Sequence, residues 1–230
     1  MMGKILNIVT NHGTYGDSDK PTGLWLGELT HFYDLFEAHG FQQDIASPKG
    51  GRSPVEPRSL GRFTADRSVR QRLQDPAFMA RLEHTLSAGD VNWSDYDAIY
   101  FTGGHGTMWD FRGDPHLQQL ARDMFENGRI VASVCHGYTV FADLRLSSGQ
   151  YLLQGRRMTG FSWNEEILAG VAKQVPYNIE DLVKQQGAHY EKARLPLMSF
   201  SVRDRNLITG QNPGSARAVA ADVLKALTEK

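Results

Sequence analysis

Cysteine is nearly absent: Cys135 is the only one in 230 residues. A single thiol builds neither an internal disulfide framework nor a CxxC metal or redox pair, so the expected setting is reducing and cytoplasmic. An excess of either charge is also missing, with 25 Lys and Arg against 26 Asp and Glu and a formal net charge of -1. Nothing in that balance draws the chain to nucleic acid or to an anionic membrane, and neither is expected as a partner. No apolar run reaches the length of a membrane span or resembles the core of a signal peptide, which points to a soluble protein. Phosphate-loop, dinucleotide-fingerprint and paired-histidine zinc motifs are likewise absent, so no metal or organic cofactor is expected.

What the chain does have is a lone cysteine in a telling place. Ile130 to Val134 is apolar and β-branched with small residues between, which predicts a strand covered on both faces of a parallel sheet. Cys135-His136-Gly137 breaks that pattern, and Tyr138 to Leu144 resumes with helical spacing. A strand, an abrupt turn and a helix form a nucleophile elbow, which lifts one side chain out at the carboxyl edge of a sheet. A helix N-terminus and an adjacent imidazole both favour thiolate, predicting a Cys135 that titrates below a free thiol. A core cysteine packed as a small hydrophobe is the plainer alternative, but the neighbouring His136 is not what packing alone selects.

The remaining segments alternate. Lys4 to Thr10, Gln43 to Ser47 and Ala98 to Thr102 read as buried strands, and Leu24 to His39, Asp114 to Asn127, Asn164 to Lys173, Ile179 to Gln186 and Ser215 to Leu227 as helices. Leu197 to Arg203 followed by Leu207 to Gly210 suggests a hairpin. Pro48 to Arg67, rich in Gly, Pro and Arg, departs from this rhythm, and an insertion around residues 48–96 is expected, with a helix over Asp75 to Ser87. The whole, residues 1–230, reads as one α/β domain with a doubly wound, mostly parallel, flavodoxin-like sheet between helices. Gly103-Gly104-His105-Gly106 closes a strand at its carboxyl end, where exposed amides can face an oxyanion. Arg156-Arg157 reads as solvated turn surface. Glu165 and Glu166 sit in a helix first turn, where acidic residues commonly complement the dipole.

Six ordered pieces of the sequence carry a resemblance. They are Thr22-Gly23-Leu24-Trp25-Leu26 with Glu28; Ala46-Ser47-Pro48-Lys49-Gly50-Gly51; Gly103-Gly104-His105-Gly106 with Met108-Trp109-Asp110; Val134-Cys135-His136-Gly137; Thr159-Gly160-Phe161 with Glu166; and Thr209-Gly210-Gln211-Asn212-Pro213. Nearly end to end, the chain resembles the ThiJ/PfpI superfamily of the class I glutamine amidotransferase-like fold, most closely its glyoxalase III and heat-shock-chaperone branch. The resemblance implies Cys135 as nucleophile, His136 as its imidazole partner, Glu166 as the orienting carboxylate and Glu28 as the acid or base beside the thiol. It implies Gly104 and His136 as oxyanion amides and a pocket that includes His105 and Trp109. It further implies a homodimer. Two departures, Phe32 and Tyr138 where many relatives carry proline, are expected to reshape the pocket mouth.

The implied reaction is that of a lyase converting methylglyoxal or a related α-oxoaldehyde to a 2-hydroxy acid, lactate, without glutathione; protein deglycase or chaperone activity is compatible with the same family. Two rivals stand beside it. One is a cysteine amidase or peptidase that draws its histidine from His189-Tyr190-Glu191; the other is a holdase chaperone or redox sensor in which Cys135 is merely oxidisable.

Overall fold

The computed structural model describes residues 3–229. Nine strands and eight α-helices follow one another as β1 (Lys4–Ile8), α1 (Leu26–Ala38), β2 (Gln42–Ser47), α2 (Arg67–Leu73), α3 (Pro76–Glu83), β3 (Leu86–Ser87), β4 (Ala98–Phe101), α4 (Thr107–Asp110), α5 (Pro115–Glu126), β5 (Ile130–Val134), β6 (Arg157–Met158), α6 (Trp163–Leu168), α7 (Ile179–Gln185), β7 (His189–Tyr190), β8 (Ser201–Asp204), β9 (Leu207–Gly210) and α8 (Ala216–Thr228). Seven strands form one sheet in the order β3-β2-β1-β4-β5-β9-β8. All neighbours are parallel except β8 and β9, which make the expected antiparallel hairpin. β6 and β7 pair separately as a short parallel ribbon.

β1, β4 and β5 supply the middle of the sheet, and Ile5, Leu6, Ile99, Phe101, Val131 and Val134 on them are fully buried. Continuous apolar runs of this kind are what a strand covered by helices on both faces requires. From β1 the chain winds outward to β2 and β3, then returns to β4 on the other side. Strand order therefore reverses between β1 and β4, and the carboxyl ends beside that point form the crevice where α/β sheets place their sites.

Within residues 48–96, α2 and α3 pack over α1, while the turns at 88–90 and 93–95 pack against α5. Asp66 caps α2 through Val69 N–H, and Asp75 caps α3 through the amides of Ala77 and Phe78. Val69, Phe78 and Leu82 from these helices close a second apolar cluster with Leu26, Leu29 and Tyr33 of α1. The helix expected over Asp75 to Ser87 stops at Glu83, because Leu86 and Ser87 pair with β2 as the edge strand β3. The segment after Cys135 differs as well: Cys135–Phe141 is a 3₁₀ turn, all seven residues buried, not an α-helix.

Phe32 and Tyr138 do not reach the pocket mouth. Phe32 is buried and stacks on Tyr100 at 3.8 Å between ring centroids, and buried Tyr138 donates its hydroxyl to the Phe161 carbonyl at 2.9 Å. Both act from inside the core.

Candidate active site

Cys135 follows directly on β5 with φ +53°, a left-handed conformation that costs a non-glycine residue of order 1–3 kcal/mol. The turn is tight because a Cβ on Gly137 would lie 2.2 Å from the Phe101 carbonyl oxygen, so only glycine lets the chain double back against β4. The strain turns Sγ toward the carboxyl edge of the sheet, as the elbow reading requires.

His136 is fully buried, and its ring links two groups. Nδ1 lies 3.3 Å from Cys135 Sγ, and Nε2 lies 2.7 Å from Glu166 Oε2. A proton on Nε2 that is donated to the carboxylate leaves Nδ1 as the acceptor facing the thiol. Glu166 reaches this position because a capping box starts α6: Ser162 Oγ accepts from Glu165 N–H while Glu165 Oε2 accepts from Ser162 N–H. Burial pushes the Glu166 carboxyl up, but the imidazoles of His136 and His105 more than offset it and hold the group well below the usual carboxylate range.

His105 occupies the other oxygen of Glu166. Its Nε2 lies 2.7 Å from Glu166 Oε1, and its Nδ1 lies 3.0 Å from Arg58 Nη2. The guanidinium can only donate, so Nδ1 accepts and Nε2 carries the proton. Burial, with the neighbouring His136, lowers His105 to about 4, leaving it neutral near pH 7. Arg58 is in turn held by Glu56 and by the Tyr15 hydroxyl.

Glu28 lies in the first turn of α1 and is fully buried. Its Oε2 accepts from Gly103 N–H at 2.6 Å, and its Oε1 has no hydrogen-bond partner. The loop after β4 is compressed against it. A Cβ on Gly103 would lie 2.6 Å from Glu28 Oε2 and 2.8 Å from Cys135 Cβ; one on Gly104, at φ +103°, would lie 2.1 Å from the Gly23 carbonyl oxygen. Burial lifts the Glu28 carboxyl to about 8, against smaller opposing hydrogen bonds from Cys135 and Gly103.

The thiol itself departs from the sequence expectation. Burial first, then the Glu28 carboxyl, push Cys135 up, and the amides of His136 and Gly104 only partly offset them. No α-helix begins at Cys135, and the residue is only 3% exposed, which leaves little solvent to stabilise a charge on Sγ. Glu28 and Cys135 instead share one buried pocket in which two negative charges are disfavoured. Ionisation of the thiol therefore goes with a protonated Glu28, and the two titrate as a pair.

His105, His136 and Glu166 place potential metal-ligand atoms within 4.8 Å of one another. Both carboxylate oxygens are already engaged by imidazole nitrogens at hydrogen-bond length, and Arg58 sits against His105. A cation here would displace those hydrogen bonds beside a fixed positive charge, so the cluster fits a hydrogen-bonded triad better than a metal centre.

Trp109 is not brought to the thiol. It stacks on His12 at 5.0 Å and meets Tyr15 edge-on, outside the lining of the cavity over Cys135. His189 is exposed in β7, where it pairs with Arg157. The histidine of the amidase alternative is thus on the surface while His136 holds the place beside Sγ.

A family model described as DJ-1/PfpI matches residues 26–226. The chain belongs to the DJ-1/PfpI family. It is 31% identical to a glutathione-independent glyoxalase of Saccharomyces cerevisiae, covering 97% of this chain and 98% of that protein, and 30% identical to Glyoxalase 3 of Candida albicans, covering 98% of each. Among solved structures, the Rapid Encystment Protein of 24 kDa from Francisella tularensis superposes with a TM-score of 0.94 at 34% identity, over 98% of this chain and 99% of the other. Glyoxalase III from Candida albicans gives 0.90 at 29% identity, over 98% and 97%.

Proposed function

We propose that this DJ-1/PfpI protein is a glutathione-independent glyoxalase that converts methylglyoxal and related α-oxoaldehydes to 2-hydroxy acids on Cys135. One observation carries the reading: a thiol facing an imidazole acceptor lies beside a fully buried carboxyl group, that of Glu28, whose Oε1 has no hydrogen-bond partner. Acyl transfer alone needs a nucleophile, a base and an oxyanion hole. An additional buried acid or base is what moving a proton between adjacent carbons demands.

The steps balance with the chain and one water molecule. His136 Nδ1 takes the Cys135 proton, and sulfur adds to the aldehyde carbon; the carbonyl electron pair becomes an alkoxide facing the amides of Gly104 and His136, and the Glu28 carboxyl gives it its proton, which yields a hemithioacetal and leaves Glu28 as a carboxylate. The carboxylate form of Glu28 removes the hydrogen from that carbon to give an enediol, and the proton returns at the neighbouring carbon. The aldehyde carbon is thereby oxidised to a thioester while the ketone carbon is reduced to an alcohol. Water then attacks the thioester, the carbon–sulfur bond breaks, and lactate leaves with the thiolate restored. Glu166 keeps the His136 proton on Nε2 throughout.

Lactate accumulating from methylglyoxal in glutathione-free buffer is the expected result, read by an enzymatic lactate assay. Consumption of methylglyoxal without any hydroxy acid product would overturn the proposal. The protein is further expected to act in the cytoplasm as a homodimer. Sedimentation at micromolar concentration should then give roughly twice the 25.7 kDa of one chain. A single-chain species alone would contradict the dimer. None of the helices among the described residues is long and apolar enough to cross a membrane.

A further inference from the structure

Above Cys135 opens a cavity of about 630 Å³, far more than a three-carbon aldehyde fills. Pockets of about 300–1,000 Å³ generally enclose drug-sized molecules. Arg58, Thr64, His105, Glu165 and Asn212 line it beside the thiol, but most of its lining surface is apolar and comes from side chains such as Trp25, Phe63, Phe161, Leu168 and Leu197.

Leu197 holds its place at a cost. It has φ +64°, a left-handed conformation that is unfavourable for a branched hydrophobic residue, and its side chain remains 62% exposed at the cavity rim. The conformation is imposed from below. Leu197 N–H donates to Glu165 Oε1 at 2.8 Å, and the same oxygen accepts from Asn212 Nδ2 at 2.9 Å. Glu165 is buried, and its other oxygen serves the capping box that starts α6. The residue that fixes the first turn of the Glu166 helix thus also fixes a strained leucine over the substrate opening. Leu168, 64% exposed, lies at the far end of that same helix. Two apolar side chains, neither buried in the core, are therefore coupled to the catalytic helix.

From this we infer that the cavity selects α-oxoaldehydes with a large apolar, in particular aromatic, substituent over methylglyoxal. The inference rests on the glyoxalase reading and adds a substrate class to it. The dicarbonyl head meets Cys135, Glu28 and the amides of Gly104 and His136, while the substituent displaces water from Phe161, Leu168 and Leu197. For phenylglyoxal the overall change is addition of one water to give mandelate, by the same internal oxidation and reduction as for methylglyoxal.

The test compares kcat/KM for phenylglyoxal and methylglyoxal in the full-length protein and in Leu197→Gly. Glycine tolerates the left-handed backbone, so this variant removes the side chain without adding strain. The expected result is a preference for phenylglyoxal of roughly tenfold or more in the wild type, most of it lost in the variant. Equal or lower kcat/KM for phenylglyoxal, or a preference that survives in Leu197→Gly, would overturn the inference. A second measurement needs no turnover: protection of Cys135 from iodoacetamide by mandelate against lactate. Stronger protection by mandelate supports the apolar cavity even if neither aldehyde is consumed, in which case only the glyoxalase reading fails. Equal protection by both acids overturns the cavity preference independently of catalysis.

Discussion

Alanine in place of Cys135 is expected to lower lactate formation from methylglyoxal by roughly 10⁴-fold or more, the scale seen when a nucleophile is deleted from a concerted catalytic unit. The chain has no second cysteine to substitute for it. The loss should be specific to chemistry. Alanine gives up the 3.3 Å contact of Sγ to His136 Nδ1 and the sulfur contacts to Glu28 and to the amides of His136 and Gly104, but it can occupy the same φ +53° turn at about the same backbone cost as cysteine. The melting temperature of the variant should therefore stay close to that of the wild type. Turnover within tenfold of wild type would place the reaction on another residue.

Glu28→Gln and Glu28→Ala are each expected to reduce turnover by about 10²-fold or more, the usual contribution of a positioned base. Near-wild-type turnover in Glu28→Gln would mean that His136 alone moves the proton. The same substitution carries a second signature. The Glu28 carboxyl ordinarily titrates at 4.5 and is lifted to about 8 by burial, so the folded state holds its proton more tightly than the unfolded chain does. Stability contributed by that difference is fully present below about pH 4.5 and is lost as pH rises toward 8. Glutamine has no proton to lose. Thermal melts of wild type and Glu28→Gln should therefore diverge between pH 5 and pH 9, with the variant gaining relative stability as pH rises. Parallel curves would show that Glu28 is not held protonated in the native state.

How far this was legible in the sequence depends on the kind of signal. The three central strands were visible because burial on both faces leaves continuous β-branched runs, and the elbow was visible because Cys135-His136-Gly137 interrupts one of them. Glu28 and Glu166 were reached through the family resemblance, since a carboxylate in a helix first turn looks the same whether it meets a dipole or a thiol. Arg58 and Glu165 were not recognised. Arg58 lies in the Gly-, Pro- and Arg-rich stretch that reads as an insertion, and its role depends on a hydrogen bond to a residue 47 positions away. Glu165 reads in the sequence only as a first-turn acidic residue that complements the helix dipole. The raised thiol was not legible either: adjacency to an imidazole can be read along the chain, but burial beside Glu28 is a property of the folded pocket. Trp109 was misplaced for a related reason, because motif spacing fixes α4 but not which side of that short helix faces the cavity.

The strand order also bears on how the protein is made. The nucleophile strand β5 lies between β4, which emerges from the ribosome before it, and β9, which is separated from it by more than seventy residues of chain. Until Leu207–Gly210 has been synthesised, β5 has an open edge and the sheet next to Cys135 is unfinished. β9 then fills that gap, β8 pairs outside it, and α8 packs against both α1 and β5. A nascent chain that already contains Cys135, His136 and Glu166 is therefore still an exposed sheet rather than an enzyme.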